Sequence, residues 1–367
     1  MPEKTQPTAQ ENHSSQPSHI AASRKPASKA NLSAMDHDEL VAFMKSIGQP
    51  AFRAKQVEDW VRHKNVRSFD EMTNLSKALR SQLADMATLG GVTEVARQES
   101  QDGSRKYLLA FDDGVSVECV GMPNGDRLAV CVSTQAGCRM GCRFCATGDA
   151  GFTRNLTADE IFAQAAHVGQ DFGQRVTSVV LMGQGEPFNN YDETMAAMRL
   201  MNSEEGLGIG ARHITVSTCG ILPQIRRFAS EPEQFGLAIS LHSAVPETRN
   251  LLMPGVKKYS LKRLHDTMKD YTEKTHRRPT YEYAMIAGVN DDEPHLDALV
   301  DFCRGTLCHV NLIPLNELSG SKLKPSSEER INRFVKALDS VGVETTVRHS
   351  RGADIDAACG QLKQRLR

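Results

Sequence analysis

Three cysteines stand close together in the run Cys138-Arg-Met-Gly-Cys142-Arg-Phe-Cys145. The spacing is C-x3-C-x2-C, and Phe144 precedes the third thiol. Three thiolates on one short loop can ligate three irons of a four-iron, four-sulfur ([4Fe-4S]) cluster and leave the fourth iron open. An open iron can take the amino and carboxylate groups of S-adenosyl-L-methionine (SAM) and pass an electron to its sulfonium. The hard chemistry then belongs to the cofactor, while the protein supplies position. Zinc is the competing use of clustered thiols. It wants four ligands, usually as two pairs, and neither a second C-x2-C nor a nearby histidine completes a tetrahedron here.

Further polar and glycine-rich residues fall just after apolar, β-type runs. Gly183-Gln-Gly185-Glu186-Pro follows the run 176–182, and Ser217-Thr-Cys-Gly220 closes the run 213–217. Ser240-Leu241-His242 ends the run 237–241, and Asn316 lies beyond 310–313. With 128–132 and Thr280–Met285 these make six apolar runs, separated by amphipathic helical patterns such as 157–167 and 261–271. Strands alternating with helices predict a parallel sheet rolled into a full or partial α/β barrel, a partial (β/α)6 barrel in this chain. A doubly wound open sheet is the alternative that periodicity leaves open. Active sites of parallel barrels lie at the carboxyl ends of the strands. Clusters on that face outline a pocket for a ligand larger than a metal ion. Glycines there admit close backbone approach, and Glu186 can accept from an ammonium group.

Ahead of the barrel, residues 1–34 are rich in Ser, Pro, Ala, Gln and Lys, a composition that predicts a disordered tail. Leu40, Phe43, Met44, Val57, Trp60, Val61, Leu79 and Leu83 recur at helical spacing and predict a small helical domain over 35–90, with Ser68 and Ser76 as N-caps. Its cations Arg53, Lys55, Arg62, Lys64 and Arg67 suit either phosphate contact or a solvated surface. Alternating stretches around Asp112-Asp113-Gly114 predict a hairpin connector over 91–127, then the barrel over 128–350 and a terminal segment over 351–367. With 40% hydrophobic and 24% charged residues and a net charge of −1, the chain reads as an ordinary soluble protein, so any basic footprint must be local. Nine cysteines, no signal-type leader and no bilayer-length apolar run predict a cytoplasmic protein without a membrane partner.

The terminal segment holds a second unusual signal, Asp354-Ile-Asp-Ala-Ala-Cys359-Gly-Gln-Leu. With Cys131-Val-Ser-Thr-Gln-Ala-Gly-Cys138, the cysteine triad, Gly185-Glu-Pro, Ser240-Leu-His and Asn311-Leu-Ile-Pro, it makes the sequence resemble the RlmN and Cfr family. These are radical-SAM adenine methyltransferases of ribosomal and transfer RNA, and the likeness runs from about residue 36 to 363. It implies metal ligands at Cys138, Cys142 and Cys145, and SAM contacts at Gly185, Glu186, Ser217, Ser240, Leu241, His242 and Asn316. It also implies three catalytic residues and two SAM molecules per turnover. Cys359 would carry the methyl group as S-methylcysteine, Cys131 would release the product by forming a disulfide with Cys359, and Glu118 would accept a proton. Ribosomal RNA, and transfer RNA as a second substrate, would be the partners of a monomer fed by an electron donor such as flavodoxin. Gly-Glu-Pro followed by asparagines resembles the branch that methylates adenine C2 more than the C8 branch. A radical-SAM activase would share the triad without needing Cys131 and Cys359. Gln184 stands where the family usually has methionine, and Gly121 and Asn124 replace bulkier residues in what reads as a loop. Cys119, Cys219, Cys303 and Cys308 read as packing residues.

Overall fold

A computed structural model describes residues 29–32, 35–63, 66, 68–318, 320–348 and 350–362. Most of the predicted tail, Lys64, Arg67 and the side chain of Arg62 lie outside the described residues. Ten strands form one sheet in unbroken sequence order: β1 (Thr93–Glu99), β2 (Arg105–Ala110), β3 (Ser116–Asn124), β4 (Arg127–Cys131), β5 (Ser178–Leu181), β6 (Ile214–Thr218), β7 (Gly236–Ser240), β8 (Thr280–Met285), β9 (His309–Pro314) and β10 (Glu344–Val347). The first four are antiparallel neighbours; from β4 to β10 every neighbouring pair is parallel. The inner parallel strands are short runs of β-branched and aromatic residues, covered on both faces as parallel strands must be.

Each parallel step needs a crossover, and the sequence marks where each helix begins. Thr157 accepts the N–H of Glu160, whose carboxylate returns to the N–H of Thr157, fixing the start of α1 (Ala158–Phe172). Ser260 and Ser327 cap α2 (Leu261–Thr275) and α3 (Glu328–Ser340) in the same manner, by accepting an N–H three residues on. The β4–β5 crossover is the longest, and ahead of α1 it holds the cysteine loop between the paired strands Gln135–Gly137 and Phe152–Asn155.

The parallel strands wrap around one cavity, since residues on or just beyond all seven line it. Arg348, just past β10, reaches back across to Met182, just past β5 (Nη1 to Sδ, 3.8 Å). Strands β4 and β10 do not pair, so the barrel is open. The sequence predicts six parallel strands and the structure has seven. The seventh, β10, is an edge strand whose residues are exposed or half-buried, so it lacks the apolar run that betrays the others. Residues 116–124 and 127–131 form a β-hairpin and not a loop. Gly121 is small because a Cβ there would stand 2.6 Å from Phe172 and Val168 of α1.

The amino-terminal helices His37–Ser46, Phe52–Glu58 and Lys77–Met86 enclose their own core of Leu40, Met44, Val57, Leu79 and Leu83. Ser68 and Ser76 cap the turn Phe69–Glu71 and the third helix.

Candidate active site

The cavity at the carboxyl ends of the strands has a volume of about 430 Å³. The loop carrying the three clustered cysteines forms one wall. It is pinned by the N–H of Cys138 on the carbonyl of Gly151 (2.7 Å) and by the N–H of Arg143 on that of Leu252 (2.9 Å). Cys138, Cys142 and Cys145 all face the cavity. Burial pushes the thiol of Cys138 up to about 12 and that of Cys145 up to about 11, so these sulfurs hold their protons unless a metal displaces them. Among the described residues no three Cys, His, Asp or Glu side chains converge on one ion position. Three thiols on one loop suit a cluster, in which each thiolate takes a different iron, better than a zinc ion, which would need a fourth ligand. Arg249 points to the same conclusion. It is a buried cation next to the thiols of Cys142 and Cys219, with no carboxylate partner among the described residues, and its Nε has no acceptor. A buried cation asks for an anion, and an iron–sulfur cluster with its thiolates is one.

The ends of β5 to β7 build the next wall. Gly185 has φ +109°, and a Cβ there would come 2.7 Å from the side chain of Gln135, so only glycine lets the two segments meet. Glu186 is buried and accepts the N–H groups of Cys219 (2.7 Å) and Phe188 (3.0 Å). Burial raises its pKa, against the pull of those hydrogen bonds. Its remaining lone pairs can receive an ammonium group. Ser217, next to last in β6, and Ser240, last in β7, line the cavity. His242 follows in left-handed backbone, φ +54°, a conformation held by the Asn290 amide on its carbonyl (2.7 Å). Its Nδ1 accepts the N–H of Ala284 (2.9 Å), which leaves the proton of the neutral ring on Nε2. Burial, aided by Arg249, pushes its pKa down to about 3, so the ring is neutral at physiological pH. It packs edge-on against Phe144 of the cysteine loop, ring centroids 4.4 Å apart.

The terminal segment closes the cavity. Its carbonyls receive the N–H of Ala146 (at Gly360, 2.7 Å) and the hydroxyl of Thr147 (at Leu362, 2.7 Å), which ties it to the turn after Cys145. The Asn316 amide donates to the carbonyl of Cys359 (3.1 Å), so this side chain lines the cavity by holding the tail. Cys359 is open to solvent in the cavity and Cys131 is half-buried opposite it. Burial pushes Cys131 up to about 12, with Cys359 adding to the effect and Arg348 opposing it. Although its surface reaches solvent, Cys359 is set deep among protein atoms, and that desolvation raises its thiol too, again opposed by Arg348. All nine cysteines are free thiols.

Two predicted site residues are not part of the cavity wall. Leu241 is buried in the barrel core. Glu118 is 2% exposed and pairs with Lys106 (3.4 Å), whose ammonium also donates to the carbonyl of Asp356 (3.3 Å) in the tail.

Residues 30–89 match the family model for the ribosomal RNA large subunit methyltransferase N-terminal domain, and residues 132–300 match that of the radical SAM superfamily. A protein of Clostridium perfringens (strain 13 / Type A) described as a probable dual-specificity RNA methyltransferase RlmN is 47% identical over 330 residues, 89% of this chain and 94% of its own. A Staphylococcus aureus protein (strain bovine RF122 / ET3-1) of the same description is 44% identical over 342 residues, 92% of this chain and 94% of its own. The chain belongs to the RlmN family of radical-SAM RNA methyltransferases. A crystal structure of a radical SAM methyltransferase from Sphaerobacter thermophilus shares its fold, with a TM-score of 0.86 at 44% identity over 91% of this chain and 99% of that one.

An RlmN-family member works with a [4Fe-4S] cluster and SAM, and the donor set described above fits both. The sequence reading missed several members of this RlmN-type site. Cys219 was expected to be a packing residue; instead it lines the cavity, hydrogen-bonded to Cys142. Glu282 and Arg348 line it beside Cys131 and Cys359, and the Asn311 amide donates to Glu282 (2.8 Å). A readable signal existed for Glu282. It interrupts the apolar run Tyr-Glu-Tyr of a central strand, where a charge is out of place unless a cavity receives it. Among the described residues no helix is long and apolar enough to cross a membrane.

Proposed function

We propose that this enzyme methylates C2 of an adenine in ribosomal RNA, and in transfer RNA, through a methyl group carried on Cys359. The observation that carries the reading is the meeting of six cysteines, 131, 138, 142, 145, 219 and 359, around one cavity whose wall includes the tail itself. Cys138, Cys142 and Cys145 would hold the cluster, and Gly185, Glu186, Ser217, Ser240 and His242 would line the place of SAM, with the backbone of Leu241 between them. When bound, the cluster and SAM supply the methyl group and the one-electron chemistry that an unactivated ring carbon requires, two SAM molecules per turnover. The chain supplies the rest. Cys359 accepts the methyl on Sγ, and the clamps at Ala146, Thr147 and Asn316 fix that sulfur over the cavity. Glu118, held by Lys106 behind the wall that its strand neighbours Val120 and Met122 form, accepts the ring proton through a water. The Cys131 thiolate then attacks Sγ of Cys359. The Cys359 sulfur–carbon bond breaks with its electron pair going to the methylene carbon, which takes up a proton to become the methyl group; the methylated base leaves, and a Cys131–Cys359 disulfide remains for reduction. Arg348 stands beside both sulfurs and favours the thiolate in each. The target adenine must be unstacked to enter, which favours a single-stranded loop. We assign the protein to the cytoplasm as a monomer reduced by an external donor of flavodoxin type.

Anaerobic reconstitution with iron, sulfide, SAM and ribosomal RNA, then chromatography of the digested nucleosides, tests the assignment. 2-Methyladenosine is expected, in a parallel transfer RNA reaction as well. 8-Methyladenosine as the sole product overturns the regiochemistry.

A further inference from the structure

Arg249 lies on the helix Pro246–Leu252 and is 2% exposed. Its Nη2 donates to the carbonyls of Cys219 (2.8 Å) and Ser240 (3.4 Å), at the ends of β6 and β7, while its Nε has no acceptor. The guanidinium sits close enough to the thiols of Cys142 and Cys219 for both to act on its charge, and among the described residues it has no carboxylate partner. The buried acid of the same wall, Glu186, gives its oxygens to the N–H groups of Cys219 and Phe188 instead. Cys219 in turn is hydrogen-bonded to Cys142. A fully buried, incompletely hydrogen-bonded cation thus faces a sulfur of the cluster loop without a compensating negative charge from the chain. Such a group is expensive to bury unless an anion joins it.

We propose that Arg249 is the fixed counter-charge of the cluster and raises its reduction potential. The proposal rests on the assignment of Cys138, Cys142 and Cys145 as ligands. Reduction adds one electron, delivered by an external reductant, to a cluster already made negative by its thiolates. A fixed positive charge beside it therefore stabilises the reduced form more than the oxidised form. Burial keeps water from screening that charge, and the hydrogen bond between Cys219 and the Cys142 sulfur acts in the same sense. Arg249 is not part of the wall of the cavity that Cys359 faces, so it is a positioning residue for charge.

The test is an anaerobic potentiometric titration of the reconstituted holoenzyme, followed by electron paramagnetic resonance, with SAM and RNA left out. Arg249→Gln removes the charge and keeps a hydrogen-bond donor. At wild-type iron content its midpoint should move to more negative potential by at least a tenfold change in the reduction equilibrium, 59 mV for one electron. Arg249→Lys, which keeps the charge, should stay near wild type. Should Arg249→Gln fail to fold, Cys219→Asp decides. It places a carboxylate against Arg249 and should shift the midpoint in the same direction, with Cys219→Asn as the uncharged control. An unmoved midpoint in Arg249→Gln, or in Cys219→Asp when that is the measurable variant, overturns the proposal. So does a variant with wild-type potential and weakened SAM binding, which would make Arg249 a contact for the SAM carboxylate. Full iron retention by Cys142→Ala would count against the ligand assignment itself and is read separately from the midpoint.

Discussion

Gln184 carries an amide to a place where nothing pairs it. The side chain is 1% exposed, and neither its Nε2 nor its Oε1 has a partner among the described residues. Methionine, which the family resemblance puts at this position, has nearly the same shape without the polar atoms. Gln184→Met should therefore stabilise the fold by about 1–3 kcal/mol, the usual penalty of an unsatisfied buried polar group. Chemical denaturation measures it, and a less stable variant would contradict the account. The cysteine pair makes a sharper forecast. Cys131→Ala should still allow methylation of Cys359 and then stall, leaving protein covalently attached to RNA as a denaturation-resistant, nuclease-sensitive species. Cys359→Ala and the double variant should never form it, since they lack the sulfur that carries the bridge, yet should keep their iron. Turnover by Cys359→Ala would sink the mechanism. At this scale the sequence was legible where spacing or a repeated motif set residues apart, as with Cys138, Cys142, Cys145 and Cys359. Arg249, Arg348 and Lys106 were not legible, because a lone cation in sequence looks like any solvated one. Only the three-dimensional placement of a thiol or a carboxylate beside each gives it meaning.

Among the elements, the terminal segment depends most on others for its position. Besides its clamps to the cysteine loop, it is held by the turn between β1 and β2. Asp102 accepts the N–H groups of Ser104 (2.8 Å) and Gly352 (3.0 Å), and Asp354 accepts from Ser100 (2.6 Å) and Gln101 (3.1 Å). Burial alone would raise the pKa of Asp102, but the hydrogen bonds outweigh it and bring it down to about 2. A carboxylate with a depressed folded-state pKa lends stability that is complete above its unfolded value, near 4, and is lost as pH falls through about 2. Protection of the Gly352 amide from hydrogen exchange, corrected for the intrinsic rate, should accordingly fall between pH 4 and pH 2. Asp102→Asn should lower it at neutral pH and slow methylation of Cys359 without loss of iron. Unchanged protection would show that the turn does not hold the tail. The sheet itself was legible from β4 to β9 because inner parallel strands announce themselves as apolar runs. The two ends were not. In β1 and β10 exposed and half-buried residues alternate with no large apolar run, and their strand character comes from the neighbours they pair with.

For the molecule as a whole, the amino-terminal helices and the barrel are built around separate cores. None of the residues around the cavity comes from the amino-terminal helices. What the helices offer is a surface. Phe52 is 60% exposed, an unusual cost for a phenylalanine, and the Arg53 guanidinium stands 5.0 Å from its ring centroid, with exposed Lys55 nearby in the same helix. An aromatic face flanked by cations is the common means of gripping unpaired bases and phosphates. Phe52→Ala should weaken binding of ribosomal RNA by about 1–3 kcal/mol, the range for one lost base stack, and do so at any salt concentration. Lys55→Glu should weaken it mainly at low salt, because a phosphate contact acts through counterion release. Neither substitution should change iron content or the methylation of Cys359, which need only the barrel and its tail. Filter binding across a salt series, beside mass spectrometry of the Cys359 peptide, separates the two effects. If RNA binding is unchanged in both variants, recognition lies on the barrel rim and the helices serve another purpose. If methylation of Cys359 fails as well, the two cores are coupled more closely than their separation implies.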